Sequence, residues 1–420
     1  MGRVRKRQGG ISVDKPHPKS PGALLPLATI LLVAANLRPG ITVVGPLIEQ
    51  IGTDTGASSA MLGLLGALPV LAFGVVSPWV HRMALRLGIE RSVLIALLVL
   101  GFGTVLRSVL PDTAALYGGT ALLGGGIAVG NVLVPALVKR DFPQRVPLMT
   151  GLYSATMAGC AAVASGAAVP LSRWLGWELT IGLSAFLALL AAAAWLLRGP
   201  AVWRGSRGAE ISAGQRKPAG ETSPGDARAT SLWSSAVAWQ VTLFFGLQSS
   251  TFYLMVTWLP AMQVHYGVPP DVAGLTLASY QGFGIVASLS VGPLMQRAFD
   301  QRGIAVSMAV LMMFALGAMM IWPDLIPVWS LFAGFSSGAT LSIALSLVAL
   351  RARTHHQASQ LSGMAQGVGY LLAALGPFFA GSLFDLTGSW KPVLGVALSF
   401  VVAQAVAGYL AGRRVFVGEG

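Results

Sequence analysis

Long apolar runs recur along almost the whole chain, and each could cross a lipid bilayer as a helix of about 20 residues. One longer polar stretch divides the runs into two sets of six. The runs begin near Leu24, Ser58, Arg91, Ala114, Pro147 and Trp177 in the first set and near Ala236, Val272, Ile304, Leu325, Ala358 and Pro392 in the second. The pattern predicts an all-α polytopic membrane protein whose twelve transmembrane helices form two pseudo-symmetric six-helix bundles.

Composition agrees with this class and marks the break between the two sets. Hydrophobic residues make up 54% of the 420 residues and charged residues 10%, whereas soluble domains carry about 25% charged residues. Residues 199–231 are instead rich in Gly, Ala, Pro, Ser and charge, a composition that cannot bury a core. We therefore predict a basic tail at 1–23, a bundle at 24–198, a linker at 199–231, a second bundle at 232–412 and a tail at 413–420.

Lys and Arg residues are distributed unevenly between the two sides of this arrangement. All but four of the 28 fall in the tails, the linker or the connections on the linker side. The exceptions are Arg107, Arg173 and Lys391 on the other side and Arg38 inside the first helix. The positive-inside rule then makes the linker and both termini cytoplasmic, in a multi-pass protein of the bacterial cytoplasmic (inner) membrane. The same bias explains the net charge of +13 without a nucleic-acid partner.

Arg38 is the charged residue placed deepest in a predicted helix. It follows the start of its apolar run by about 14 residues, near the bilayer midplane, and Pro39 comes directly after it. Each of the 15 acidic residues maps to a tail, a loop or a helix end, so we expect no carboxylate opposite Arg38. In a structural role, the permanently charged guanidinium would bind carbonyl groups that Pro39 leaves without a donor. We favour a functional role, in which it binds a small anion through charge-assisted hydrogen bonds.

Other polar side chains at mid-helix depth are candidates to bind the same solute. They are Asn36, Asn131, Gln248, Gln281, Gln366, Tyr153 and Tyr253. Asn36 and Gln248 coincide when the second half of the chain is superposed on the first, which would give neutral donors at matching depth. Hydrogen bonds between helices account equally well for the other amides, and the tyrosines are also suited to amphipathic core packing.

The residues at comparable depth do not suggest catalysis. The sequence offers no paired carboxylates, no metal-ligand cluster and no nucleophile with a base. A single cysteine, Cys160, cannot form an internal disulfide, and the glycine-rich stretch 118–130 lacks the Gly-Lys-Ser/Thr ending of a phosphate-binding loop. We therefore predict no enzyme activity, no cofactor and no metal, with a receptor or an unrecognised membrane enzyme as the distant alternative.

Four strings carry a resemblance to a known family. They are AANLRPGIT (34–42), GIAVGNVLVPALVKRDFP (126–143), GLQSSTFYLMVTWLP (246–260) and GYLLAALGPFFAGSLFDLTGSW (369–390). With the six-plus-six pattern, the chain resembles the major facilitator superfamily, and within it the cyanate permease and 2-nitroimidazole transporter branch.

The resemblance implies a functional monomer in the lipid bilayer that transports a small-molecule substrate by alternating access, as a secondary active or facilitative carrier. The solute would be small and anionic or polar: cyanate-like, nitroimidazole-like or a small organic acid. Coupling to a proton or a counter-solute stays open. The alternative is a drug or metabolite efflux pump of the same superfamily, which would normally use an interior carboxylate that this chain does not provide.

One loop departs from the superfamily pattern. Between the second and third helices, Arg82 and Arg86 match two basic positions of the family's gating motif. The two glycines and the aspartate of that motif are replaced by Ser77, Ala84 and His81. We therefore expect the carboxylate contact of that gate to be missing.

Overall fold

The computed structural model describes residues 24–110, 112–198 and 232–419, so the predicted tail at 1–23 and linker at 199–231 lie outside the described residues. The helices are α1 (Leu24–Asn36), α2 (Pro39–Thr42), α3 (Val44–Thr55), α4 (Ser59–Leu87), α5 (Ile89–Val109), α6 (Thr113–Asp141), α7 (Val146–Leu196), α8 (Ala236–His265), α9 (Pro270–Arg297), α10 (Arg302–Ile321), α11 (Ile326–Leu350), α12 (His355–Thr387) and α13 (Trp390–Ala411). The all-α prediction is confirmed.

Twelve crossings account for these helices. Ten helical stretches of the described chain are long and apolar enough to cross a bilayer. One of them contains two crossings, because Gly176 adopts a φ of 78° and breaks α7 between its two halves. The helix α8 is not among the ten, since it carries a polar stretch at 248–251. Adding α8 and dividing α7 gives the predicted twelve, and each crossing begins within three residues of its predicted start.

The first crossing is broken at its centre into α1, α2 and α3. Pro39 has no N–H, so the carbonyl group of Ala35 loses the donor that a continuous helix would supply. The Leu37 N–H donates instead to the Ala34 carbonyl oxygen at 3.1 Å, which tightens the last turn of α1. Arg38 then takes a non-helical conformation, with φ −127° and ψ −39°, before α2 begins. The break therefore aims the Arg38 side chain away from the axis at mid-crossing.

The first half of the molecule (α1–α7) and the second half (α8–α13) meet chiefly along α4 with α12 and α7 with α9, and also where α3 packs on α8. We call the end where α7 stops and α8 starts the linker end, and the opposite end the far end. Within the described ranges, the two halves are joined by hydrogen bonds, an ion pair and ring contacts. All of these contacts lie at mid-depth or at the far end. At the far end Gly381 approaches the Ser59 carbonyl oxygen too closely for any side chain to fit.

At the linker end, buried arginines tie helices together within each half. In the first half Arg140, at the end of α6, pairs with the fully buried Glu90 at the start of α5, and Arg198 pairs with Asp141. In the second half Arg351, at the end of α11, donates to the Gln301 side chain at 2.7 Å and to the Ala411 carbonyl oxygen at 2.6 Å. Basic residues at equivalent places in the two halves thus have the same role, as a pseudo-symmetric pair of bundles requires.

Candidate functional site

Arg38 extends from the break in the first crossing to the opposite half of the molecule. Its Nη1 donates to the Tyr253 hydroxyl at 3.4 Å. Its guanidinium carbon lies 5.1 Å from the ring centre of Phe252 and 5.8 Å from that of Tyr253, within the range of a cation–π interaction. The side chain is only half-buried, and no carboxylate of the described chain pairs with it. Arg38 therefore keeps donor capacity for a solute between the halves.

Aromatic rings surround this contact. Phe73, from α4 of the first half, meets the rings of Tyr253 and Tyr370 edge-to-face, with centroid distances of 6.4 and 5.3 Å. Phe252 meets Tyr253 at 5.1 Å, and Phe245 meets Tyr370 at 5.3 Å, again edge-to-face. Such rings bury a large apolar area and stay rigid. They give the guanidinium an apolar setting in which its charge is screened less than in water.

A second polar contact joins the halves at mid-depth. Gln281 donates through Nε2 to the Ser165 hydroxyl at 2.9 Å. The Ser165 hydroxyl is 2.9 Å from the Ala161 carbonyl oxygen, to which it donates, and Thr42 donates to that same oxygen at 3.2 Å. This network connects α2, α7 and α9, so Gln281 is held to the broken segment of the first crossing.

Two of the predicted amides, Asn36 and Gln248, are engaged within their own half. Asn36 donates to the carbonyl oxygens of Leu32 and Leu187 at 2.8 and 3.2 Å, so its donors point at helix backbone. Gln248 donates to the hydroxyl of its neighbour Ser249 at 2.9 Å. The buried Oδ1 of Asn36 and Oε1 of Gln248 have no hydrogen-bond partner among the described residues. The structure does not bring these two amides to Arg38.

The other predicted residues lie closer to the linker end. Gln366 donates to the Ser362 hydroxyl one turn earlier, at 2.8 Å. Asn131 is half-buried and forms no side-chain hydrogen bond with a described residue, while Tyr153 packs against the core of the first half. These side chains border the part of the seam where we find no hydrogen bonds between described residues of the two halves.

The two arginines of the loop motif are exposed at the linker end. Arg82 stacks on the Trp79 ring with its guanidinium carbon 5.2 Å from the ring centre. Neither Arg82 nor Arg86 forms an ion pair with a described carboxylate.

Arg107 lies in the last turn of α5, near the far end, and its side chain is only 1% exposed. Its Nε and both Nη atoms have no hydrogen-bond partner within the described ranges. A Cβ placed on Gly40, in α2, would lie 3.6 Å from one Nη. Arg107 and Arg38 thus place two positive charges beside the broken segment.

The far end is closed by polar contacts between the halves. Both carboxylate oxygens of Asp385, at the end of α12, accept hydrogen bonds from the first N–H groups of α4, those of Ser59 at 2.9 Å and Ala60 at 2.7 Å. Arg173 forms an ion pair with Asp271 at 2.5 Å. Asp385 thus caps a helix of the opposite half, where carboxylates are favoured.

Several of these functional side chains were not singled out from the sequence. Phe73 and Phe252 are ordinary apolar residues in their runs, and only their meeting across the seam makes them part of the site. Ser165 is a small residue in a helix rich in small residues. For Asp385 the sequence does suggest a role, because a carboxylate at the end of a crossing is either solvated or caps a helix.

Comparison with known proteins places this geometry in a family. The Major Facilitator Superfamily profile matches residues 30–377. The 2-nitroimidazole transporter of Escherichia coli (strain K12) is 39% identical over 389 residues, which cover 92% of this chain and 95% of that protein. The cyanate transport protein CynX of the same organism is 29% identical and covers 87% and 91%. A putative anionic 4-hydroxy-benzoate permease of Thauera aromatica is 47% identical over 92 residues, 22% of this chain and 56% of that protein.

Solved structures agree on the fold. A bacterial homolog of the human lysosomal transporter Spinster has a TM-score of 0.75 at 16% identity, covering 94% of this chain and 98% of that one. A D-xylose-proton symporter has a TM-score of 0.72 at 14% identity, covering 94% and 97%. The chain therefore belongs to the Major Facilitator Superfamily, in the group of the 2-nitroimidazole and cyanate transporters, and is a multi-pass membrane transporter and not an enzyme.

Proposed function

We propose that the protein carries a small anionic or polar organic solute across the membrane by alternating access, and that Arg38 and Tyr253 form the centre of its binding site. The observation that carries the proposal is the Arg38 guanidinium. It is half-buried at mid-crossing, is not paired with any described carboxylate and reaches a hydroxyl of the opposite half. An ionisable side chain at this depth marks a substrate pathway by default.

The surrounding side chains favour a compact solute with an apolar face. A small planar anion can place its charged edge on Arg38 and its ring against Phe252 and Tyr370. The solutes for which the relatives are named (2-nitroimidazole, cyanate and anionic 4-hydroxybenzoate) are small and carry polar or charged groups. The proposed substrate class for this chain is accordingly a cyanate-like, nitroimidazole-like or small aromatic acid solute.

A contact between the two halves at the site would couple solute binding to the relative movement of the halves. Arg38 belongs to the first half and Tyr253 to the second, so a solute bound between them interacts with both. If the linker is cytoplasmic, the closed far end is periplasmic. No described carboxylate pairs with Arg38, which favours facilitated diffusion, exchange or entry of a proton on the solute itself. Because the site lies within one chain, a monomer suffices.

Uptake into proteoliposomes tests this proposal. Labelled 4-hydroxybenzoate, cyanate and 2-nitroimidazole are the probes, and the variants are Arg38→Lys and Arg38→Gln. Lys391→Gln is the matched control, because Lys391 is an exposed cation at the far end. We expect Arg38→Gln to abolish uptake of the anions and Arg38→Lys to weaken binding, since the planar fork is lost while the charge stays. Normal anion uptake by Arg38→Gln would show that Arg38 is structural.

A further inference from the structure

A cavity of about 160 Å³ lies between the two halves at the far end, apart from Arg38. Residues of α3 and α4 line it from the first half, and residues of α8, α12 and α13 line it from the second. Its volume is close to that of an engineered cavity that holds one benzene ring, about 150 Å³. It can therefore accept a compact group of five to seven heavy atoms.

Aromatic rings form the wall that the second half supplies. Phe384 and Trp390 stack with their centroids 4.2 Å apart and an interplanar angle of 24°. Trp258 lies 5.3 Å from Trp390, and the His265 ring lies 5.6 Å from Phe384. All four residues line the cavity. The negative faces of Trp and Phe rings attract a cation, and Trp does so most strongly.

The first half supplies a carboxylate to the same cavity. Glu49 lines it, and within the described chain the Glu49 side chain forms neither a hydrogen bond nor an ion pair. The nearby carboxylate of Asp385 is engaged, because both of its oxygens accept backbone N–H groups of α4. No Lys or Arg is among the described residues that line the cavity. Within the described chain, Glu49 thus offers an unpaired carboxyl group to a cavity whose other wall is aromatic.

We propose that this cavity is a binding site for a small organic cation of quaternary-ammonium size. The charge it selects is opposite to that selected at Arg38, so the two sites bind different ligands. Because its walls come from both halves, the cavity is complete only while the far end is closed. A bound cation therefore stabilises that conformation and slows transport, by the rule that a ligand favours the state that it binds better.

Thermal unfolding of the purified full-length protein tests binding, with tetramethylammonium chloride as the probe. Sodium chloride at equal concentration controls for ionic strength, and tert-butyl alcohol controls for shape without charge. We expect a saturable rise of the unfolding temperature with tetramethylammonium only. Glu49→Gln should weaken the apparent affinity about tenfold, and Trp390→Leu should weaken it as well. Asp324→Asn, which removes an acid outside the cavity, should leave the affinity unchanged.

Three results would overturn the proposal: no response beyond that to sodium chloride, an undiminished response in Glu49→Gln, or loss of the response in Arg38→Gln. The last would assign the cation to the central site.

A second measurement reports the conformation. A cysteine at Leu62, which lines the cavity, is introduced in a Cys160→Ala background and labelled with a charged thiol reagent. Tetramethylammonium should slow labelling severalfold, and Glu49→Gln should remove this protection; unchanged or faster labelling contradicts the stabilised closed state.

Discussion

The Arg38 guanidinium donates to the Tyr253 hydroxyl across the seam between the two halves, at 3.4 Å. This hydrogen bond is long and therefore weak, so a solute can compete with the Tyr253 hydroxyl for the guanidinium. Arg38 lies at a helix break that releases its side chain, whereas Tyr253 lies in a continuous helix and is almost fully buried. The pair thus combines a half-buried charge at a helix break with a buried hydroxyl in a continuous helix.

The first prediction concerns that hydroxyl. Tyr253→Phe keeps the ring beside Phe73 and Phe252 but removes the acceptor for Arg38. If the hydroxyl positions the guanidinium for the solute, KM for an anionic solute should rise about tenfold, with the maximal rate less affected, because a hydrogen bond to a charged group contributes about 1.5 kcal/mol. Initial uptake rates measure both constants. Tyr117→Phe removes a far-end hydroxyl bound to the Met61 carbonyl and should leave KM unchanged.

A second prediction concerns two buried arginines that differ in their partners. Arg198 pairs with Asp141 and stacks on Trp195, whereas Arg107 has no partner within the described ranges. Removing an unpaired buried charge relieves its desolvation penalty, so Arg107→Met should raise the apparent unfolding temperature. Arg198→Met should lower it, by the equivalent of about 1–3 kcal/mol, because Asp141 loses a charged donor. Differential scanning fluorimetry in one detergent compares both with the parent, and a lower value for Arg107→Met would indicate a stabilising partner.

The fold and the site differ in how far the sequence alone predicts them. The apolar runs place every crossing, because each must cover the width of a bilayer. Arg38 and Tyr253 could be singled out because a polar group at mid-depth is costly. When a run is apolar on all sides, its sequence does not show how the helix is rotated about its axis, and so does not show which side chains face the bundle. Hence the sequence alone does not predict that the Asn36 amide turns to the backbone of α7 or that the Arg107 side chain lies inside the bundle.

A third prediction concerns the orientation of the protein in the membrane. Reporter fusions after Pro200, in the linker, should be active as cytoplasmic reporters, and fusions at Asp324 should be active as periplasmic ones. The reason is the excess of Lys and Arg on the linker side. Paired alkaline phosphatase and green fluorescent protein fusions at each position provide internal controls. The opposite pattern would place the closed far end at the cytoplasmic face and contradict this orientation.

The last prediction concerns Asp385 as the contact that keeps the far end closed. Its carboxylate accepts the N–H groups of Ser59 and Ala60, so the first turn of α4 is capped by the opposite half of the molecule. Separating the halves would expose these N–H groups and leave the carboxylate to water. A helix cap contributes about 1 kcal/mol, and Asp385→Ala should therefore increase the population open at the far end about fivefold. Arg173→Gln should have a smaller effect, since the exposed pair with Asp271 contributes little.

Cysteine accessibility measures this population directly. Leu62 is almost buried behind the capped turn, and a cysteine there should react with a charged reagent only when the halves part. In a Cys160→Ala background, Asp385→Ala should accelerate labelling about fivefold, whereas the exposed far-end acid Asp324 can be changed to Ala without effect. Asp385→Asn keeps one acceptor oxygen and should fall between the parent and Asp385→Ala. Equal labelling of all three would mean that apolar packing between α4 and α12, and not the cap, holds this end closed.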